Sequence, residues 1–359
     1  MRLGIIGLPN SGKTTIFNAL TGGSYETSAA STGQFEVNTA TVNVPDERID
    51  KLTEMYKPKK TTFTNITYAD IGGLDKGIGE GALAGQFRNE LAQVDGFVHV
   101  IRAFEDDKVP HPHNTINPAN DLEAIDAEFL LMDLLSIENR LERIEAELRV
   151  KGKKADPSMI AEKPLMERLK AQLEDDKPLR NLDISADEFK MIRGFGFLSQ
   201  KPVLVLLNMG DEAVDPNTKV TLTYDKSALI GIQGALEAEI AQLDADDAEM
   251  FMEEYNLTEL SRSKVIRESY ELMGIESFFT VGPDEVRAWS FPAGASAPEA
   301  AGEIHSDLQK GFIRAEVFTY DDLMELGNEN AIKSAGKFRL EGKEYIVQDG
   351  DILNIRHNS

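Results

Sequence analysis

The run from Gly7 to Thr14 constrains this 359-residue chain more than any other part of its sequence. It fits the pattern G-x4-G-K-[ST], with an apolar strand-like run at 2–6 before it and a helical pattern at 13–20 after it. The glycines let the backbone wrap phosphate oxygens, and the helix directs its positive N-terminus at them. Lys13 is expected to reach the β- and γ-phosphates. The residues predicted to bind the nucleotide at this loop are Asn10, Ser11, Gly12, Lys13, Thr14 and Thr15.

Thr14 and Asp70 are the residues predicted to hold Mg²⁺. The Thr14 hydroxyl follows the loop lysine, and Asp70 opens Asp70-Ile71-Gly72-Gly73 at the end of the strand-like run Thr64–Ala69. A carboxylate at the carboxyl end of a strand can hold the metal through water, and the Gly73 N–H can bond the γ-phosphate. We therefore expect Lys13 and Gly73 to take part in phosphate chemistry.

Leu74 follows this glycine, at the position where Ras-like enzymes carry a glutamine that orients the attacking water. An aliphatic side chain cannot hydrogen-bond that water. Another group, the substrate or a partner must then position it, and intrinsic turnover is expected to be slow.

A base-binding motif follows the apolar run Pro202–Leu207 as Asn208-Met209-Gly210-Asp211. GTP-specific proteins read N-K-x-D here, and this chain has methionine in place of lysine. Asp211 could pair with guanine, but Glu212 beside it leaves the register open. The motif predicts base contacts from Asn208, Met209 and Asp211, and leaves ATP or GTP as alternatives.

Strand-like and helical patterns alternate along the chain, which predicts an α/β fold with a parallel sheet. From about 120 to 200, apolar residues recur at helical spacing and a turn at Asp156-Pro157 interrupts them, which predicts an inserted antiparallel helical hairpin. Beyond about Thr280, short strands predict a small α+β module. The predicted domains are 1–120 with 200–280, 121–199, and 281–359.

The acidic composition limits the kinds of partner that the protein can bind. The net charge is −24, from 38 basic and 62 acidic residues, which disfavours general DNA binding. The lysines at 57–60 and 151–154 are read as solvated loop residues. There is no cysteine and no run of 18 apolar residues, so we expect no membrane span and a cytoplasmic location.

Several of these motifs together resemble the YchF/Obg-like ATPase family, and the resemblance covers essentially the whole chain. The stretches that carry it are Pro9-Asn10-Ser11, Asp70-Ile71-x-Gly73-Leu74, Asn117-Pro118-x-x-Asp121, Glu285-Val286-Arg287-Ala288-Trp289, Ile304-His305-x-Asp307, Lys310–Glu316 and Val347–Asp351.

The resemblance implies a Ras-like G domain, an inserted coiled-coil hairpin and a C-terminal TGS domain with a β-grasp fold. It also implies an Mg²⁺-dependent nucleoside triphosphatase that acts as a nucleotide-gated, ribosome-associated regulator and hydrolyses ATP as well as, or better than, GTP. The family's candidate catalytic histidine lies on a loop, and His111 occupies that position here.

The chain also departs from the family, because Gln34 stands where a Mg²⁺-capping threonine is expected and Thr32 is out of register. Gln34 and Leu74 both favour an alternative, a nucleotide-sensing binding protein with negligible intrinsic hydrolysis. A small-molecule kinase would need a lid with arginines, and residues 105–120 contain none.

Overall fold

The computed structural model describes residues 1–24, 37–72, 86–210, 214–254 and 260–358. The chain forms two compact units, one of Met1–Thr41 and Thr67–Val265, the other of Val42–Ile66 and Ile266–Ser359. In the described ranges, no helix combines the length and the apolar composition that a membrane crossing requires.

Strands and helices are interspersed along the chain, and each type is numbered in chain order. The strands are β1 (Arg2–Ile6), β2 (Val37–Asn43), β3 (Lys60–Thr62), β4 (Asn65–Ile71), β5 (Gly96–Ala103), β6 (Val203–Met209), β7 (Ser227–Ile232), β8 (Ile275–Thr280), β9 (Glu285–Pro292), β10 (Phe312–Thr319), β11 (Arg339–Glu341) and β12 (Asp351–His357). The helices are α1 (Lys13–Thr21), α2 (Glu47–Tyr56), α3 (Gln86–Gln93), α4 (Pro118–Lys151), α5 (Pro157–Glu174), α6 (Ala186–Ile192), α7 (Gly234–Ile240), α8 (Ala245–Glu254), α9 (Ser261–Leu272), α10 (Ala297–Ile304), α11 (Ser306–Lys310), α12 (Tyr320–Leu326) and α13 (Glu329–Ser334).

A six-stranded sheet with the order β2-β4-β1-β5-β6-β7 carries the phosphate loop. The pairs β1–β4, β1–β5, β5–β6 and β6–β7 are all parallel. Every residue of β6 is buried, and so is every residue of β5 except the last, because helices cover both faces of such a sheet. The predicted α/β class is confirmed, and β1 ends where the Gly7–Thr14 loop begins.

The sequence from Thr62 to Tyr68 reads as one continuous strand-like run, but it belongs to two elements. Thr62 ends β3, which pairs in parallel with β9 in the second sheet, whereas β4 starts only at Asn65. The pattern could not show this break, because β-branched residues occur in both pieces.

The helical hairpin consists of α4 and α5, which run antiparallel. Three ion pairs join the two helices: Lys170 to Glu138 at 2.8 Å, Arg140 to Glu162 at 2.6 Å, and Lys163 to Glu145 at 3.3 Å. Each helix begins with a capped proline turn, in which the Asn117 side chain accepts from Asn120 N and the Asp156 side chain accepts from Ser158 N. The first turns of α4 pack on the parallel sheet through Phe97 and Phe129, whose ring centroids lie 5.0 Å apart.

The second unit is built on another six-stranded sheet, with the order β11-β10-β12-β8-β9-β3. Its pairs β10–β11, β10–β12 and β8–β9 are antiparallel, whereas β12–β8 and β3–β9 are parallel. The predicted bounds assign 1–120 to the P-loop domain, whereas contacts place Val42–Ile66 in this second unit. The reason is the β3–β9 pairing, a long-range contact that no local pattern reveals.

Candidate active site

The phosphate loop requires glycine at two of its positions. Gly7 and Gly12 have φ angles of 154° and 91°. A Cβ atom at Gly7 would lie 2.3 Å from the Val100 carbonyl oxygen, and one at Gly12 would lie 2.2 Å from Asn208 Nδ2. Asn10 adopts the left-handed region as well, with φ 62°. The loop therefore holds a tight curve between β1 and α1, as the motif predicts.

Lys13 and Thr14 begin α1 and turn toward the loop and β4. Lys13 Nζ donates to the Leu8 carbonyl at 2.9 Å, and Thr14 Oγ1 donates to Asp70 Oδ2 at 2.8 Å. Thr15 is half-buried in the same turn, and Ser11 is buried with an Oγ that has no hydrogen-bond partner among the described residues. The hydroxyl and the carboxylate predicted to hold Mg²⁺ are thus in direct contact.

Asp70 is the next-to-last residue of β4 and lies opposite Ile5 of β1. Burial raises the pKa of its carboxyl, while the Thr14 hydrogen bond and the positive charge of Lys13 act in the opposite direction. A cation placed beside this carboxylate would offset the cost of burying its charge.

Four other predicted positions lie outside the described residues. They are Gly73 and Leu74 after the β4 carboxylate, Gln34 in the region expected to cap Mg²⁺, and Asp211 of the base motif. Their expected roles remain predictions.

Asn208 and Met209 have opposite orientations at the end of β6. Asn208 Nδ2 donates to the Ser11 carbonyl at 3.0 Å, and its Oδ1 accepts from Gly234 N at 3.2 Å. Asn208 therefore joins the phosphate loop to the first residue of α7. Met209 is buried among the core residues of the sheet, where its Sδ accepts from Val214 N at 3.4 Å. The described contacts of Met209 are thus with the core of the sheet and with the backbone at Val214.

The segment from Phe104 to His111 is tied to the phosphate loop by Arg102. This arginine is 2% exposed and donates from Nη1 to the Val109 carbonyl at 2.8 Å and from Nε to the Phe104 carbonyl at 3.0 Å. Its guanidinium also stacks on the Phe104 ring, 4.4 Å from the centroid. Asn10 Nδ2 completes the connection by donating to the Pro110 carbonyl at 2.9 Å.

Sequence reasoning assigned no role to Arg102. Its position could have indicated a structural role, because it is a charged residue in the largely apolar sequence from Gly96 to Phe104. A buried arginine there must find several hydrogen-bond acceptors.

His111 is 8% exposed, and both of its ring nitrogens are engaged. Its Nδ1 accepts from His113 N at 3.2 Å, so its Nε2 carries the proton and donates to Asp121 Oδ2 at 2.9 Å. Asp121 is 3% exposed and stands in the first turn of α4, next to the Asn117 cap. In this arrangement His111 is held by the hairpin helix.

His99 is a buried histidine that the sequence reasoning did not consider. It lies in β5, is 1% exposed, and its Nε2 has no hydrogen-bond partner within the described part of the chain. Burial lowers its pKa to about 3, assisted by the positive charges of Lys13 and Arg180. The imidazole is therefore neutral at physiological pH.

In comparison with known proteins, two family models match parts of the chain, and several relatives match over most of their own length. A model described as 50S ribosome-binding GTPase matches residues 2–151, and a YchF-GTPase C-terminal model, described as a protein of unknown function, matches residues 275–358. The chain is 40% identical to a protein named Ribosome-binding ATPase YchF from Bacillus subtilis, over 99% of this chain and 98% of that protein. The chain belongs to the YchF/Obg-like ATPase family.

Other members of the YchF/Obg-like family also match this chain over almost all of its length. The protein named Obg-like ATPase 1 from Oryza sativa subsp. japonica is 37% identical over 100% of this chain and 92% of its own length. The solved structure of the Schizosaccharomyces pombe YchF GTPase is 32% identical, covers 99% of this chain, and superposes with a TM-score of 0.82. The expected P-loop GTPase domain and YchF-type C-terminal region are therefore confirmed.

Proposed function

We propose that this protein is an Mg²⁺-dependent nucleoside triphosphatase that acts as a nucleotide-gated, ribosome-associated switch. The observation that carries the proposal is the contact between Thr14 Oγ1 and Asp70 Oδ2 at 2.8 Å, beside a phosphate loop whose curve only glycine permits. Bound phosphate and metal would then meet beside the start of α1, as phosphoryl transfer requires.

The residues present fit Mg²⁺. The two side chains in contact offer oxygen atoms alone, which this hard cation prefers, and Asp70 is a buried carboxylate that gains from a neighbouring positive charge. Thr14 would hold the metal directly, and Asp70 would hold it through water. Bound Mg²⁺ would neutralise charge on the β- and γ-phosphates, and Gly73 stays the proposed N–H donor to the γ-phosphate.

His111 is proposed to orient water or contact the γ-phosphate after it leaves Asp121. With Nε2 bonded to Asp121 and the side chain 4% exposed, the imidazole is withheld from substrate. This resting arrangement supports slow intrinsic turnover, which a partner could accelerate by moving α4.

ATP is proposed as the preferred nucleotide. The relatives from Bacillus subtilis and Oryza sativa are named as ATPases, and the lysine of the guanine-reading motif is Met209 here, a side chain buried in the core. Titration of wild-type protein with ATP and with GTP tests the choice, and GTP binding at least about 10-fold tighter would contradict it.

The ribosome is the proposed partner, because the bacterial relatives are named ribosome-binding. The same proposal includes a cytoplasmic location and two further domains. These are the hairpin domain at 121–199 and a TGS domain of β-grasp type at about 281–359. The acidic surface requires that any contact with ribosomal RNA use a local surface rather than the overall charge.

Steady-state phosphate release from ATP tests the enzyme against its alternative, a nucleotide-sensing binding protein. We expect slow release by wild-type protein, faster release with ribosomal subunits, and a large loss in Thr14→Ala and in His111→Ala. If wild-type release stays at the level of the buffer both with and without ribosomes, the sensing protein is the better description.

A further inference from the structure

Three side chains lie close together beside the start of α4, and the proposed hydrolysis gives a role to only one of them, His111. His111, His113 and Asp121 each bring a ligand atom into a cluster whose members all lie within 4.8 Å of one another. His111 Nε2 is 2.9 Å from Asp121 Oδ2, and His113 Nδ1 is 3.7 Å from Asp121 Oδ1. Asp121 Oδ1 is buried and has no hydrogen-bond partner in the described ranges.

We propose that His111, His113 and Asp121 form a binding site for a transition-metal dication of the Zn²⁺ class. Two imidazoles and one carboxylate are a ligand set that Zn²⁺ uses when it keeps a further position open. Ligands about 2.1 Å from such a metal stand about 3.4 Å from one another in a tetrahedral site. The separations of 2.9 and 3.7 Å, which involve different oxygens of Asp121, lie on either side of that value.

The different exposures of the three side chains suit a site that takes up a metal ion from solvent. The side chains of His111 and Asp121 are each 4% exposed, whereas that of His113 is 51% exposed. Two ligands are therefore fixed by packing, and the third can close over an arriving ion. A fourth coordination position would hold water.

Imidazole ligands also separate this site from the proposed Mg²⁺ site. Nitrogen donors favour Zn²⁺ and its neighbours over Mg²⁺, which prefers oxygen ligands such as Thr14 and Asp70. An excess of Mg²⁺ should therefore leave the histidine site open to Zn²⁺.

Metal binding changes both hydrogen bonds of the His111 ring. The ion takes the place of the proton that His111 Nε2 now donates to Asp121. The displaced proton moves to Nδ1 of the same imidazole. The bond from His113 N to Nδ1, already long at 3.2 Å, must then open, and the turn closed by Asn114 N and the His111 carbonyl must adjust.

The consequence for turnover rests on the proposed function of His111. A metal on Nε2 would occupy the atom with which His111 would reach water or phosphate. The loaded protein would then hydrolyse ATP more slowly than the free protein.

The experiment measures Zn²⁺ binding by calorimetry, without nucleotide and in excess Mg²⁺, for wild type, His113→Ala and His305→Ala. His305 is the matched control, because its Nδ1 lies 3.4 Å from Asp307 in an exposed pair outside the cluster. We expect one Zn²⁺ per chain in wild type and His305→Ala, and affinity weaker by at least about 10-fold in His113→Ala. Co²⁺ in place of Zn²⁺ should give the visible absorption of a nitrogen-ligated site in the same two proteins.

Two outcomes would overturn the site: no Zn²⁺ bound by wild type, or equal affinity in wild type and His113→Ala. Turnover of ATP is then measured against Zn²⁺ and normalised to each protein's own rate without Zn²⁺. Inhibition of wild type that is absent in His113→Ala supports the full account. If Zn²⁺ binds as expected but turnover does not change, the metal site stands and the catalytic role of His111 is refuted.

Discussion

The buried imidazole of His99 predicts that acid destabilises the first unit. Because burial lowers its pKa from 6.5 to about 3, the unfolded chain binds more protons than the folded chain between these two pH values. Stability therefore falls as the pH drops through this window. From pH 8 to pH 5, the loss contributed by His99 is about 2 kcal/mol.

Asp133 opposes this effect, so wild-type protein alone cannot isolate it. Burial raises the pKa of Asp133 to about 6, which stabilises the fold by about 1 kcal/mol as the pH falls from 8 to 5. Comparison with His99→Asn removes that contribution, because Asp133 is present in both proteins.

Urea unfolding followed by far-UV circular dichroism gives the stability of wild type and His99→Asn at pH 8 and pH 5. We expect the difference in unfolding free energy between the two proteins to shift by about 2 kcal/mol in favour of the variant at pH 5. Fluorescence of Trp289, in the other unit, gives an independent signal, and His305→Asn is the exposed control. A difference that stays constant with pH would refute the reasoning.

Two further substitutions test the loop and the hairpin. Gly12→Ala should weaken ATP binding by at least about 10-fold in a calorimetric titration, because the new methyl group would meet Asn208 Nδ2 at 2.2 Å; binding equal to wild type would contradict the loop geometry. Asp133→Asn should lower the free energy of unfolding, measured in urea, by about 2–3 kcal/mol. The Asp133 carboxylate accepts hydrogen bonds from Leu198 N and from Ser199 N and Oγ. An amide in its place would leave a buried N–H without an acceptor. A loss below about 0.5 kcal/mol would contradict that role.

The sequence was sufficient where the determinants are local. The phosphate loop needs adjacent residues with unusual backbone angles, and its glycines are visible in the pattern. The hairpin was predictable for a similar reason, since proline turns and apolar spacing define α4 and α5 within one stretch of chain.

The sequence was insufficient where a contact joins distant residues. Lys60–Thr62 pairs with Glu285–Arg287, and no local pattern assigns that segment to the second sheet. The inward turn of Met209 depends on the space above Gly231, where a Cβ would lie 2.7 Å from the methionine Cε. Asp121 stood out as a family residue, but only the fold shows that it holds His111.

Equilibrium binding of a non-hydrolysable ATP analogue with Mg²⁺ tests the central claim most directly, because it isolates the phosphate loop from turnover and from partners. Wild type and the exposed control Lys51→Ala should each bind one nucleotide with equal affinity. Lys13→Ala should bind about 10- to 100-fold more weakly, the value of one charged hydrogen-bonding group. If Lys13→Ala binds the analogue as wild type does, the nucleotide does not lie in the Gly7–Thr14 loop and the account is wrong.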